Sequence, residues 1–528
     1  MTVDVTEITV EEMDALIERI ENNLTDGLST EPDDVRLILQ ILRQFATMQQ
    51  KLESSSYLKE RYLKLMGLIS TSEKQDAARN NTANPEKKSP RKKKPRPKTK
   101  PVPPKVCHHK LEGLEKGLIC PECEKGRLYK TEPASFIRIV GNPPLSAENH
   151  IMEQIRCNLC SQLFTAPLPD DVLQDGARQQ KYGYSARAIM GISKFYMGNP
   201  YYRQEGLQWL MGKPVTASTI YDQCALLVDD VTPVFEALKE FAANVGHFNI
   251  DDTGNKILKE KAVDKPNRNG KGTRKRTGVY SSCLIATDEN ARKTVLFKTN
   301  IGHSGEWIDE IFANRAEGLP LPIVMSDALS SNTPQSTSSI TSLCNSHSRR
   351  KFFDVRKNYP EEVEYVLESY GAIWHNETIT ETEKMSVKAR LDYHTKNSLP
   401  VMLELKAWCE KKSQEKATEE NNGLGRAIRY FLKHFDGLSA FCFIENAKLD
   451  NNLAEMVIKL IVRGRKNSHF YQTLAGANIG DVITSLIATC ELNGVNCFDY
   501  LVALQQHRRL LELEPERWLP WNYLESLQ

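Results

Sequence analysis

A multidomain chain of mixed α/β class is predicted by three features of this sequence. Its 528 residues exceed what one hydrophobic core organises, so about three or four domains are expected. Two short apolar runs in its middle end in acid, Phe248-Asn249-Ile250-Asp251-Asp252-Thr253 and Pro322-Ile323-Val324-Met325-Ser326-Asp327, as strands do at the rim of a sheet. Long stretches before and after them carry helical spacing with few strand signals. Composition sets outer limits: Lys and Arg number 70 against 68 Asp and Glu, so the net charge of +2 conceals large local charges. No run of about 18 apolar residues predicts a membrane span. The acidic start lacks a basic-then-apolar leader, so a cytoplasmic location is expected. The 12 cysteines are then expected to be reduced thiols and a metal site rather than a disulfide framework.

Residues 1–70 read as a helical oligomerisation region. A short helix is expected over 10–24 and a long one over 35–68, where Ile38, Ile41, Leu42, Phe45, Met48 and Leu52 fall at helical spacing. That stripe suits a coiled coil between chains or a helical hairpin within one. Residues 71–105 form a basic, Pro-rich linker, densest from Lys87 to Pro101. Proline prevents helix and like charges repel, so it should be extended, and DNA phosphates would release counterions on meeting it.

Residues 106–170 contain Cys120-Pro121-Glu122-Cys123 and Cys157-Asn158-Leu159-Cys160. Two such pairs supply four thiolates in the tetrahedral arrangement of a structural zinc, so a zinc ribbon is expected. Residues 171–245 read as helical. Within them 206–221 have the outline of helix, tight turn, helix, with Gly212 in the turn and Thr216 or Ser218 as N-cap. A DNA-reading helix-turn-helix and a structural hairpin both fit, because the second helix carries few basic groups.

The core is expected over 246–348 and 440–475. Strands are predicted over 248–257, 279–286, 294–298 and 322–326, a helix over 304–315, and a Gly- and Lys-rich loop over 267–277. Strand, strand, strand, helix, strand is the order of RNase H-like folds. A helical insertion, 349–439, interrupts this core, and a helix over 453–461 then carries Glu455. A C-terminal helical region, 476–528, closes the chain. Asp251 and Asp327 at strand ends and Glu455 on a helix are hard oxygen donors of the kind magnesium or manganese prefers. Two such ions can clamp the attacking and leaving oxygens of a displacement at phosphorus.

At these residues the chain resembles the transposases of the insertion-sequence sixty-six family. Those carry Asp-Glu-Thr on the first strand, a Trp-Ala-His-Ala-Arg-Arg-Lys-Phe segment, and an Asp-Asn-Asn-x-Ala-Glu-Arg helix leading into Gly-Arg-Lys-Asn. The corresponding residues here are Asp251-Asp252-Thr253, Asn345-Ser346-His347-Ser348-Arg349-Arg350-Lys351-Phe352, Asp450-Asn451-Asn452-Leu453-Ala454-Glu455-Met456 and Arg463-Gly464-Arg465-Lys466-Asn467. Tyr201-Tyr202-Arg203-Gln204-Glu205, Leu492-Asn493-Gly494-Val495 and Leu519-Pro520-Trp521-Asn522 match further motifs, so the resemblance runs from about residue 100 to the end. Asp252 stands where the family has glutamate, which leaves Asp251 and Asp252 as alternative first ligands, and Met456 stands where it has arginine.

The resemblance implies a DDE transposase with Asp251, Asp327 and Glu455 as its triad, freeing a 3′-hydroxyl at an element end and joining it to target DNA. It implies double-stranded DNA as partner, a homo-oligomer, small accessory proteins of the same element, and a prokaryotic nucleoid as workplace. His347, Arg349, Arg350, Lys351, Arg465 and Lys466 are the candidate DNA contacts. The alternatives are a catalytically inactive, transposase-derived regulator that binds DNA and another RNase H-like nuclease that cuts without joining.

Overall fold

The computed structural model describes residues 144–156, 163–176, 180–266, 272–334, 337–414 and 422–527, with pieces of 116–128 and scattered residues of 20–38. The chain divides into two compact units, 1–93 and 94–528. In the first, the described residues Ile20, Asn22, Asn23, Thr25, Asp34, Val35 and Ile38 are all helical. The rest of the expected oligomerisation stripe and the basic linker lie outside the described residues.

The second unit is built on a five-stranded mixed sheet. Its strands are β1 (His247–Asn255), β2 (Val279–Thr287), β3 (Lys293–Asn300), β4 (Ile323–Ser326) and β5 (Ile340–Leu343), in the spatial order β3-β2-β1-β4-β5. The first three pair antiparallel, while β4 runs parallel to both β1 and β5. Seven of the nine residues of β2, including all six from Ser281 to Ala286, are buried, and Tyr280 and Thr287 are half-buried, as expected of a strand covered on both faces.

The two faces belong to different cores. Phe248, Ile250, Leu284, Ala286, Leu296 and Val324 face the larger one, with the helices α1 (Tyr184–Phe195), α2 (Tyr201–Leu210), α3 (Ala217–Ala243) and α4 (Ser304–Phe312) on that side or supporting it. The 206–221 segment does form helix, turn, helix, with Gly212 in the left-handed region at φ 73° and Thr216 capping α3 by accepting from Thr219 N–H. Its second helix, α3, buries Ile220, Cys224, Leu227, Val231, Val234 and Leu238 as a spine of this core.

Beyond β5 the chain enters a helical bundle: α5 (Asn345–Asp354), α6 (Pro360–Thr382), α7 (Val387–Asn397), α8 (Leu399–Gln414), α9 (Gly423–Lys433) and α10 (Phe435–Ser439). It has its own core around Phe352, Val366, Tyr370, Met402, Leu405 and Phe431, and it reaches the sheet through Ile323 and Leu343. Buried polar groups make it a clamp on the returning chain. Glu377 accepts from Arg390 and pairs with His394, and Arg390 also donates to the Ala447 carbonyl at 2.9 Å. Asn345 donates to the carbonyls of Leu438 and Leu449 at 2.8 and 3.1 Å.

The returning chain forms α11 (Asn452–Val457) and α12 (Lys459–Ser468), then α13 (Leu474–Asn493) and α14 (Cys497–Gln506). Ala454, Val457, Ile458 and Ile461 pack on Cys283, Ile285, Val295 and Phe297, the second face of the sheet. α13 lies along the free edge of β3. Asp481, Ser485, Thr489 and Asn493, one helical turn apart, accept from the backbone N–H groups of Thr299, Phe297, Val295 and Lys293 at 2.7 to 3.0 Å. Four helical residues rise about 6.0 Å and two strand residues about 6.8 Å, so the two ladders stay nearly in step. The helix thereby pairs an edge that would otherwise invite another chain.

Three sequence expectations are corrected. β5 was not foreseen: four residues rich in Ser and Thr carry too little apolar signal. Part of the 267–277 loop is strand, since Thr273–Arg276 pairs antiparallel with Val263–Pro266. The single helix expected over 453–461 is broken at Ile458 into α11 and α12.

Candidate active site

Strand alternation sends Asn249, Asp251 and Thr253 to one face of β1 and Phe248, Ile250 and Asp252 to the other. The odd face is the one covered by α11 and α12, the elements that carry Glu455 and Arg465. Register then places the second aspartate. His247, Phe248 and Asn249 pair in parallel with Ile323, Val324 and Met325, and carrying that register two residues on sets Asp327 beside Asp251. Neighbouring strands are about 4.8 Å apart. The Asp327 carboxylate accepts from Asn332 Nδ2 at 2.9 Å and from Leu329 N–H at 3.2 Å, which fixes it at the mouth of the sheet.

Glu455 is brought to the same face by its own helix start. Asn451, at the N-cap of α11, donates to the Ile250 carbonyl at 2.8 Å and accepts from Asn249 Nδ2 at 2.8 Å. Its backbone N–H donates to Cys344 Sγ at 3.2 Å. One turn later Glu455 stands against His347, whose Nδ1 lies 3.5 Å from Glu455 Oε1. That separation is too long for a hydrogen bond, and both atoms are buried without a hydrogen-bond partner. Cys344, His347 and Glu455 offer ligand atoms within 4.8 Å of one another. Burial pushes the Cys344 thiol up to about 11, so without a metal it is neutral at neutral pH, and its Sγ accepts from Asn451 N–H.

The electrostatics follow from crowding. Burial pushes the Asp251 carboxyl up to about 7, with Asp327, Asp252 and Glu455 adding to the rise and a hydrogen bond from Asp252 N–H opposing it. No lysine or arginine bonds to Asp251, Asp327 or Glu455 among the described residues. Hard oxygen donors short of positive charge suit a divalent cation.

Asp252 is engaged on the opposite face. Its Oδ2 meets His303 Nδ1 at 2.7 Å, and the His303 ring lies 3.9 Å from that of Tyr280, centre to centre. Of the candidate DNA contacts, Arg465 donates to Thr253 Oγ1 at 3.1 Å, on the Asp251 face. Lys466, Arg350 and Lys351 are exposed, with Lys351 over the Tyr430 ring, and Arg349 lies near Phe353. The four cysteines Cys120, Cys123, Cys157 and Cys160 lie outside the described residues. Each pair is bracketed in sequence by antiparallel pairing, Ile119 with Arg127 and Gln154–Arg156 with Leu163–Thr165.

Sequence reasoning missed Asn249, Asn451, Cys344 and His303. Only Asn249 and Asn451 left a signal: a polar residue inside an apolar strand, and an asparagine four positions before the glutamate.

Residues 180–479, more than half of the chain and the whole of this site, match the family model described as Transposase IS66 family. The chain belongs to that family. Its role is therefore that of a transposase acting in DNA transposition, and the family implies DNA as the partner. The IS66 member is also similar to proteins of Sinorhizobium fredii (strain NBRC 101917 / NGR234). It is 24% identical to uncharacterized protein y4hP over 394 residues, which is 70% of this chain and 67% of that one. It is 30% identical to uncharacterized protein y4jD over 187 residues, 34% of this chain and 35% of the relative. No helix among the described residues is long and apolar enough to cross a membrane.

Proposed function

We propose that this transposase is a metal-dependent DNA-cutting and strand-joining enzyme of the DDE type on an RNase H-like core. Asp251, Asp327 and Glu455 would be its metal-binding carboxylates. The observation that carries this reading is the register that sets Asp327 beside Asp251, together with the Asn451 bonds that turn Glu455 toward the same face. The strand order β3-β2-β1-β4-β5, antiparallel on one side and parallel on the other, supports the core.

The donor set fits magnesium or manganese: three carboxylates, one of them held near 7 by burial and like charge, with no basic group bonded to them. Such ions, when bound, supply the charge stabilisation that an in-line displacement at phosphorus needs. The chain's own groups do the rest. Asn451 and Asn249 hold the glutamate helix against β1. Arg465, fixed by Thr253, offers a guanidinium to a phosphate beside the aspartates, and Arg350, Lys351 and Lys466 offer exposed charge around it. For Cys120, Cys123, Cys157 and Cys160 we infer a structural zinc, since four thiolates leave no position for water.

The test is cleavage of a supercoiled plasmid that carries the gene with its own flanking DNA. The parent should cut at the element boundaries only with a divalent cation. Glu455→Gln should lose cutting by orders of magnitude while still shifting the same DNA in a gel. Equal cutting by parent and variant at the same magnesium concentration removes Glu455 from the site. A parent that binds but never cuts favours a regulator that kept the fold.

A further inference from the structure

The strand that carries Asp251 ends at Asn255. The chain then continues through a turn and irregular residues 256–262 into the Val263–Pro266 and Thr273–Arg276 hairpin before returning as β2. Across 256–266 and 273–276 the sequence sets seven Lys and Arg against two acids, an excess larger than the net +2 of the whole chain. Lys256, Lys259, Lys261 and Lys275 are exposed. The register also sets Lys265 directly opposite Arg274.

The root of this hairpin is rigid. Leu258 and Lys259 donate to the carbonyls of Tyr471 and Gln472, and Tyr471 N–H donates to the Lys256 carbonyl at 2.9 Å. Ile257 is buried with Val279, Ile301 and Ala477. Residues 470–472 directly follow α12, so the hairpin is pinned to the helix that carries Arg465 and Lys466. Lys256 lies five residues beyond Asp251, roughly 17 Å of strand, which corresponds to about five base pairs of duplex.

We propose that the hairpin formed by 256–266 and 273–276 is a clamp for the duplex DNA backbone, continuing the basic surface of α12 outward from the carboxylates. The inference rests on the proposed DNA chemistry of this site and adds where the flanking duplex is held. Contacts of this kind are to phosphates and carry no sequence preference.

The full-length protein is titrated onto a fluorescein-labelled 30-base-pair duplex of arbitrary sequence across a range of salt concentrations. Three variants accompany it: Lys259→Gln with Lys261→Gln and Lys275→Gln; the same three positions changed to Arg; and Lys384→Gln with Lys388→Gln and Lys396→Gln on the helical bundle. The hairpin Gln variant should bind about tenfold or more weakly, and its slope of log affinity against log salt should shrink by about 2 to 3, close to 0.9 for each lost phosphate contact. The Arg variant should bind like the parent, and the bundle variant should keep the parent's slope. Hairpin and bundle variants that lose affinity equally, or a hairpin variant that binds like the parent, overturn the clamp. The plasmid cutting assay separates this from the chemistry. A parent that cuts while the hairpin Gln variant binds normally loses the clamp alone. A parent that never cuts while that variant binds weakly loses the proposed chemistry and keeps the clamp.

Discussion

Asn249 and Asn451 are 202 positions apart in the chain and bond side chain to side chain at 2.8 Å. The bond joins the strand that carries Asp251 to the helix start that carries Glu455. Asn451 is 1% exposed and also donates to the Ile250 carbonyl. Asn451→Ala should leave Asn249 Nδ2 and that carbonyl buried without partners, at a cost of about 2 to 4 kcal/mol. Metal-dependent cutting should fall with it, because Glu455 loses its anchor. Denaturant unfolding and the plasmid assay on one preparation check both, and a variant as stable as the parent would remove the anchoring role.

The neighbours Asp251 and Asp252 separate cleanly by face. Asp251 shares its face with the Glu455 helix, whereas Asp252 holds His303. Asp251→Asn should lower magnesium-dependent cutting at least a hundredfold, since an amide cannot supply the charge a divalent cation needs. Asp252→Asn should change it only a few-fold and leave the magnesium requirement in place. Magnesium titrations of the cutting rate on the two variants decide, and the reverse ranking would exchange their roles.

The pH dependence follows from the Asp251 carboxyl, raised from 3.8 to about 7 by burial. Between these values the folded chain keeps a proton that the unfolded chain has released. Without metal, this group's contribution to stability is therefore full below about 4, falls as pH rises, and is gone above about 7. A divalent cation needs the ionised form, so below 7 it must displace a proton and binds more weakly. Magnesium should raise the melting temperature more at pH 8 than at pH 5.5. An increment independent of pH would contradict ionisation of Asp251 as the step coupled to binding.

What was legible in the sequence was what depends on local pattern. Four of the five sheet strands alternate or run apolar long enough to be read, and Asp251 and Asp327 stood out because an acid closes each run. The choice between Asp251 and Asp252 was not legible. Consecutive strand residues face opposite ways, and both faces of this sheet are covered, so the decision lies in which helix covers which face. The Thr273–Arg276 strand read as part of the 267–277 loop because three of its four residues are Lys or Arg rather than β-branched. The role of α13 was not legible either. Asp481, Ser485, Thr489 and Asn493 form a polar stripe at helical spacing, and no local pattern says that it faces the edge of β3.

That stripe supplies the last prediction. Thr299 donates both its N–H and its hydroxyl to the Asp481 carboxylate at 2.7 Å. Burial nevertheless pushes Asp481 up to about 7, against the Thr299 hydrogen bonds and the charge of Lys298. The folded-state value is raised, so Asp481 contributes most below about 4 and loses its contribution as pH climbs to about 7. Asp481→Asn keeps the shape and an acceptor for the Thr299 N–H but does not titrate. The variant should be less stable than the parent at pH 5, with the gap narrowing by pH 8. Ser485→Ala, which leaves the Phe297 N–H unpaired, should cost about 1 to 3 kcal/mol at either pH. Urea unfolding at pH 5 and pH 8 measures all three proteins. A gap for Asp481→Asn that widens with pH would mean that the buried carboxylate is favoured in its charged form, and that the edge of β3 is held by charge rather than by a neutral hydrogen-bonded ladder.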